Sequence, residues 1–210
     1  MIIYFCGYFF LGFKRLPEPQ KYFEGKIYYQ HSFRPKLVNS NINMPKRLFG
    51  SGSKLSFKEG NYRHDYHRGI FEFDIYNKTD NKLYLKKRDN DTIYWIDCSL
   101  PGKKIKNSKI FPKTENVMGI DCDQVIIEYE NDVSVQYYNS DSIAIDSLWF
   151  NDFKLNGQNL IDEKVKSIFL KAENEFSDFF MIATATKIKR RKIDERIFKI
   201  SENSILSKID

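Results

Sequence analysis

The chain has 210 residues, a formal net charge of +6, and a composition that is 41% hydrophobic and 16% aromatic, with Phe 18 and Tyr 13. That apolar load is enough to close a core, which excludes wholesale disorder, while Gly 10 and Pro 6 are too few for a collagen-like or linker-dominated chain. No apolar run approaches the roughly eighteen residues of a membrane-spanning helix, which excludes a polytopic protein and predicts no integral span.

Residues 1–13 read MIIYFCGYFFLGF and are followed by Lys14 and Arg15. The length suits the apolar part of a signal peptide, but the basic residues expected before it are absent and no small-x-small cleavage site follows. The reading is a leader, truncated at its start, with LPEPQ as linker. A buried first strand or a short interfacial segment is the alternative. Residues 1–19 are therefore assigned to leader and linker, and 20–210 to a single β-rich domain. Cys6 lacks the small neighbours of a lipid-attachment site.

From Tyr22 onward the pattern is strand after strand. Residues 24–31 are aromatic and β-branched, and 53–58 alternate cleanly, with Leu55 and Phe57 on one side. Turns at Glu59-Gly60-Asn61 and His67-Arg68-Gly69 bound a strand over 62–66. Residues 70–76 set Phe71, Phe73 and Ile75 against Glu72 and Asp74. Strands over 82–86 and 92–97 follow, then a short polar one over 104–110, and 123–130 joins 133–137 through Asn131-Asp132. Late strands are predicted over 164–172 and 179–189, which brings the total to ten or eleven. Helical signal is confined to turns over 44–49, 142–151 and 193–197.

So many strands on short links predict a mainly β fold. The expectation is one strongly curved antiparallel sheet forming an unclosed half-barrel, with a few short helices over its open side. Tyr28, Phe57, Tyr66, Phe73, Leu85, Tyr94, Val125, Tyr137, Phe169 and Ile182 are the candidates for its concave apolar face. A one-residue register error would reverse any of these assignments. Periodicity does not distinguish a hollow interior from a filled one.

Chemistry-bearing motifs are sparse. His64-Asp65-Tyr66-His67 places its histidines on opposite sides of a strand, and His31 is the third histidine of the chain, so no metal site is expected. Gly50-Ser51-Gly52-Ser53 is neither a nucleophile elbow nor a phosphate loop. Glu72, Asp74, Asp121 and Asp123 occupy strand or turn positions with no spacing that pairs them. No catalytic residue and no cofactor is expected. Once the leader is removed, Cys98 and Cys122 remain, either as one disulfide of an exported domain or as two separately buried thiols. Lys187, Lys189, Arg190, Arg191, Lys192 and Arg196 cluster beside Asp194 and Glu195 and read as a solvated strand end, which makes a nucleic-acid partner unexpected.

The order of motifs resembles a family of exported Bacteroidetes-type proteins related to the outer-membrane lipoprotein-sorting fold. The similarity rests on Phe23-Glu24-Gly25-Lys26-Ile27-Tyr28-Tyr29, on residues 55–63, 81–86 and 91–95, on Gly119-Ile120-Asp121-Cys122-Asp123, and on Thr184-Ala185-Thr186-Lys187-Ile188 with residues 193–198. The resemblance implies a bent, unclosed sheet under small helices, in the periplasm or outer-membrane-associated envelope of a Gram-negative bacterium. The expected function is non-enzymatic binding of a lipid or other hydrophobic ligand in the apolar concave sheet. The alternative is a structural or protein-interaction module with a filled core and an envelope protein as partner.

Overall fold

The computed structural model of the protein describes residues 21–37 and 42–209. The expected leader and linker lie outside the described residues. Twelve strands form one sheet: β1 (Gly25–Pro35), β2 (Gly52–Lys58), β3 (Asn61–His67), β4 (Phe71–Asn77), β5 (Lys82–Lys87), β6 (Thr92–Asp97), β7 (Ile105–Val117), β8 (Ile120–Tyr129), β9 (Val133–Tyr138), β10 (Phe169–Glu175), β11 (Phe179–Arg190) and β12 (Ile205–Lys208). The helices are α1 (Asn43–Phe49) and α2 (Gln158–Val165), with 3-10 turns at Ser147–Phe150, Leu155–Gly157 and Glu195–Phe198.

The spatial order is β12-β6-β5-β4-β3-β2-β1-β11-β10-β9-β8-β7. Every pairing is antiparallel except β12 on β6, which is parallel. This corrects the half-barrel expectation. The sheet is neither curled nor closed into a barrel, and it ends at two edges, β12 and β7. It is mixed rather than antiparallel throughout. Hairpin after hairpin is equally compatible with an open sheet, because strand periodicity records which residues face inward and not what covers them.

Both faces of the sheet are apolar over part of its width, and each is covered. One face carries the aligned row Phe57, Tyr62, Tyr76 and Leu83 across β2 to β5. Residues 139–168 cross this face. Ile143, Ile145, Phe150 and Phe153 pack there against Phe57, Tyr76 and Leu170 in the largest core cluster. Tyr76 is sandwiched, its ring 5.7 Å from Phe150 and 4.4 Å from Phe153. The backbone N–H of Lys154 donates to the Cys98 carbonyl at 2.7 Å and ties the crossing segment to the end of β6.

The opposite face carries Ile75 and Tyr84, with Trp95 beside them, also in register. The C-terminal segment covers it, with Ile193 and Phe198 joining Ile75, Tyr84 and Ile93 in a second cluster. The buried Glu24 side chain accepts from the Ile193 N–H at 2.6 Å, and the Arg63 guanidinium donates to the Ile197 carbonyl at 3.3 Å. The chain then adds β12 outside β6, a strand not predicted from the sequence. An uncurled sheet presents no concave apolar surface, so the concave ligand-binding sheet is overturned as well.

Local boundaries follow backbone chemistry. Gly50 closes α1 at φ 69, where a Cβ would sit 1.9 Å from the His67 carbonyl oxygen. The late strand expected from residue 164 instead begins at Phe169, because α2 runs to Val165 and ends with Lys166 in the left-handed region.

Candidate functional site

Two adjoining cavities lie on the sheet face crossed by residues 139–168, the first under the crossing segment and the second beyond it, beside Phe49 at the end of α1. The first, about 130 Å³, is walled by Leu55 and Phe57 of β2, Tyr62 and His64 of β3, Tyr138, Ile145 and Phe150, and by Gln158 and Asp162 of α2, with residues 167–169 completing it. The second, about 230 Å³, shares His64 and Phe169 with the first and extends along the same face past Tyr29, His31, Ser53, Tyr66 and Asn174 to Phe176 and Met181. The shared residues follow from register. Leu55 opposes His64 and Ser53 opposes Tyr66, so these four side chains point to the same side.

Asp162 is the unusual group. It is 4% exposed, and both its carboxylate oxygens accept from the Gln158 side-chain amide, one turn earlier on α2, at 3.1 Å. Burial pushes its pKa up to about 7, and the Gln158 amide offsets only part of that. The phenols of Tyr62 and Tyr138 share this cavity, and burial raises the pKa of each, as it does that of Tyr76, whose hydroxyl donates to Asn81 Oδ1 at 3.0 Å.

A polar chain runs along β3 and β4 beside the shared wall. Tyr66 donates to Asp74 Oδ2 at 2.7 Å, and His64 Nδ1 lies 3.6 Å from Asp74 Oδ1. In the second cavity His31 Nδ1 is 3.2 Å from the Phe49 carbonyl, and Nε2 is 3.0 Å from Ser53 Oγ. The carbonyl only accepts, so Nδ1 carries the proton and Nε2 receives the Ser53 hydroxyl. This places a serine against an oriented imidazole, but desolvation lowers the His31 pKa to about 4, which makes it a weak base. The pair anchors the end of α1 to β1 and β2.

Of the ten residues expected on one apolar face, Phe57, Tyr66, Leu85, Tyr94, Val125 and Phe169 lie on the face crossed by residues 139–168. Phe57 and Phe169 line the first cavity, and Tyr66 and Phe169 the second. Val125 packs with Ile161 of α2. Tyr28, Phe73, Tyr137 and Ile182 point the other way: Tyr28 aligns with Lys54, Asp65 and Phe73 across β2 to β4. Phe73 lies under the Arg63 guanidinium, 4.2 Å from its ring centre, and the Lys171 ammonium stands 4.8 Å from the Tyr137 ring.

Cys98 and Cys122 are buried, free thiols, and burial raises both, Cys98 to about 12. His64 points into the cavities while His67 is exposed. No group of three or more metal-ligating side chains converges among the described residues. Asp162, Gln158, Tyr62 and Tyr138 are not among the candidate site residues of the sequence, and Ser53 enters there only within Gly50-Ser51-Gly52-Ser53, as neither a nucleophile elbow nor a phosphate loop. One signal for two of them exists. Gln158, Ile161, Asp162 and Val165 follow the i, i+3, i+4, i+7 spacing of an inward helical stripe, so two polar residues occupy core positions.

No family model matches the sequence, and no curated protein matches it. Among solved structures the chain is similar to PNGF-II in its P21 crystal form, with a TM-score of 0.50 over 88% of this chain at 13% identity. The chain spans 32% of the length of that PNGF-II chain. At this identity the likeness concerns the fold alone. No helix among the described residues is long and apolar enough to cross a membrane.

Proposed function

We propose that the chain is a non-enzymatic protein-interaction module that takes an extended segment of a partner along the β12 edge of its sheet. The observation that carries this reading is the outermost strand, where Ile205 is 62% and Leu206 50% exposed, with Ile209 exposed just beyond. The Ile209 N–H donates to the Trp95 carbonyl at 2.9 Å. Backbone direction alternates along a strand, so the Leu206 N–H and C=O point away from β6. An added strand gains main-chain hydrogen bonds at such an edge and buries apolar side chains beside it.

The other edge is guarded. β7 exposes Ile110 and Phe111, but Pro112 and two register shifts interrupt its row, and Lys113 turns into the left-handed region. An envelope protein is the proposed partner, which the apolar opening of the sequence and the motif resemblance to exported proteins support.

Selection of displayed peptides against the full chain tests the reading, with Leu206→Pro and Leu206→Ala as paired variants. Proline at 206 removes a donor that faces outward and spares the bonds to β6. The expected result is a set of extended, apolar-alternating peptides whose affinity falls at least tenfold on Leu206→Pro and much less on Leu206→Ala. Peptides that bind Leu206→Pro as tightly as the unmodified chain, or no selected peptide at all, would overturn it.

A further inference from the structure

We propose that the 130 Å³ cavity beneath α2 is a binding site for an organic ammonium group, held by the Asp162 carboxylate within walls formed by Phe57, Tyr62, Tyr138 and Phe150. The proposal is independent of the β12 edge.

A carboxylate removed from water is costly unless it is protonated or meets a cation. Here the neutral Gln158 amide is its hydrogen-bond partner. Among the described residues no lysine, arginine or histidine forms an ion pair with Asp162. The carboxyl nonetheless lines a space. One water needs roughly 10–15 Å³, so the cavity holds a group of several heavy atoms. Aromatic rings attract cations through the negative potential of their faces, and aromatic walls around a single carboxylate suit an alkylated ammonium. A hard divalent cation would demand about six oxygen ligands, which this mostly apolar lining does not supply. Two sources share the ammonium chemistry, a free small amine and the side chain of a lysine on a partner protein.

The groups facing Asp162 fix how binding varies with pH. They are Tyr62 and His64 from β3 and Tyr138 from β9, with Asp74 behind His64 and the Tyr76 phenol of β4 beyond the cavity wall. The phenols stay neutral through the working range, and a proton on the Asp162 carboxyl competes with the ammonium. Binding is stronger at pH 8 than at pH 5.

Calorimetric titration of the full chain at pH 8 with tetramethylammonium chloride and n-butylammonium chloride tests the site. Potassium chloride controls for ionic strength, and tert-butanol is the uncharged shape analogue. Saturable binding of an ammonium, absent for tert-butanol and at least tenfold weaker at pH 5, is the expected result. Asp162→Asn is expected to weaken it at least tenfold. Should that variant fold poorly, saturable ammonium binding to the unmodified chain at pH 8 and its absence for tert-butanol decide the question. N-acetyl-lysine methylamide, titrated in parallel, separates the sources: tighter binding than n-butylammonium assigns the site to a partner's lysine, and weaker binding to a free amine. No saturable ammonium binding at pH 8 means that Asp162 only carries a proton and overturns the site. Equal binding of tert-butanol, or unchanged binding to Asp162→Asn, overturns it too.

Discussion

Asp162 and His31 are two buried titratable groups whose effects on stability oppose each other. The Asp162 carboxyl titrates near 7 in the fold and near 3.9 in an unfolded chain, so between those values the native state holds the extra proton and stability falls as pH rises. The His31 imidazole titrates near 4 in the fold and near 6.5 unfolded, so from 4 to 6.5 the unfolded state holds the extra proton and stability rises with pH. The two slopes largely cancel in that window. In Asp162→Asn the His31 slope is left uncompensated. Urea unfolding across pH 4 to 8 should show the variant gaining on the unmodified chain as pH rises, by on the order of 4 kcal/mol at pH 8. Parallel curves would show that the Asp162 carboxyl is not desolvated. At Gly50, φ 69 and the 1.9 Å approach of a built Cβ to the His67 carbonyl oxygen leave no room for a side chain. Gly50→Ala is expected to cost about 2 kcal/mol or more in the same assay. Asp162 was hard to read from sequence because polar residues on an inward helical stripe look like the solvated face of a helix set one register away.

At the level of elements, the C-terminal segment is held by packing more than by charge. Phe198 is buried against Ile75, Tyr84 and Ile93, whereas the Lys58–Glu195 pair at 2.6 Å has a mostly exposed carboxylate and contributes little. Phe198→Ala should therefore lower stability by about 3–4 kcal/mol, and Glu195→Gln should leave it nearly unchanged. Denaturant titration of both variants checks this. A large loss for Glu195→Gln with a small one for Phe198→Ala would reverse the account. Strands β2 to β6 were legible because their alternation is clean and their turns carry Gly60, Gly69 and the Asn77 to Asn81 cluster. β12 was not, since Ile205 to Lys208 is only four residues long and pairs with β6, more than a hundred residues earlier. α2 was missed because Gln158 to Val165 is only eight residues long and two of the four positions on its inward stripe, Gln158 and Asp162, are polar.

At the scale of the whole molecule, the mainly β character could be read from the chain, but the twelfth strand and the architecture could not. Phe57 and Phe73 were assigned to one concave face, yet they occupy opposite faces under different covers. The crossing by residues 139–168 and the return of residues 191–204 are long-range events that no local period encodes. They turn what read as a hollow into an open sheet with a cover on each face, and the proposed partner site is its β12 rim. Amide hydrogen exchange of the full chain, alone and with a selected peptide, tests that conclusion most directly. Slowed exchange at the outward-facing Leu206 amide, with β7 unchanged, is the predicted result. Protection confined to β7, or to the walls of the cavities, would contradict it.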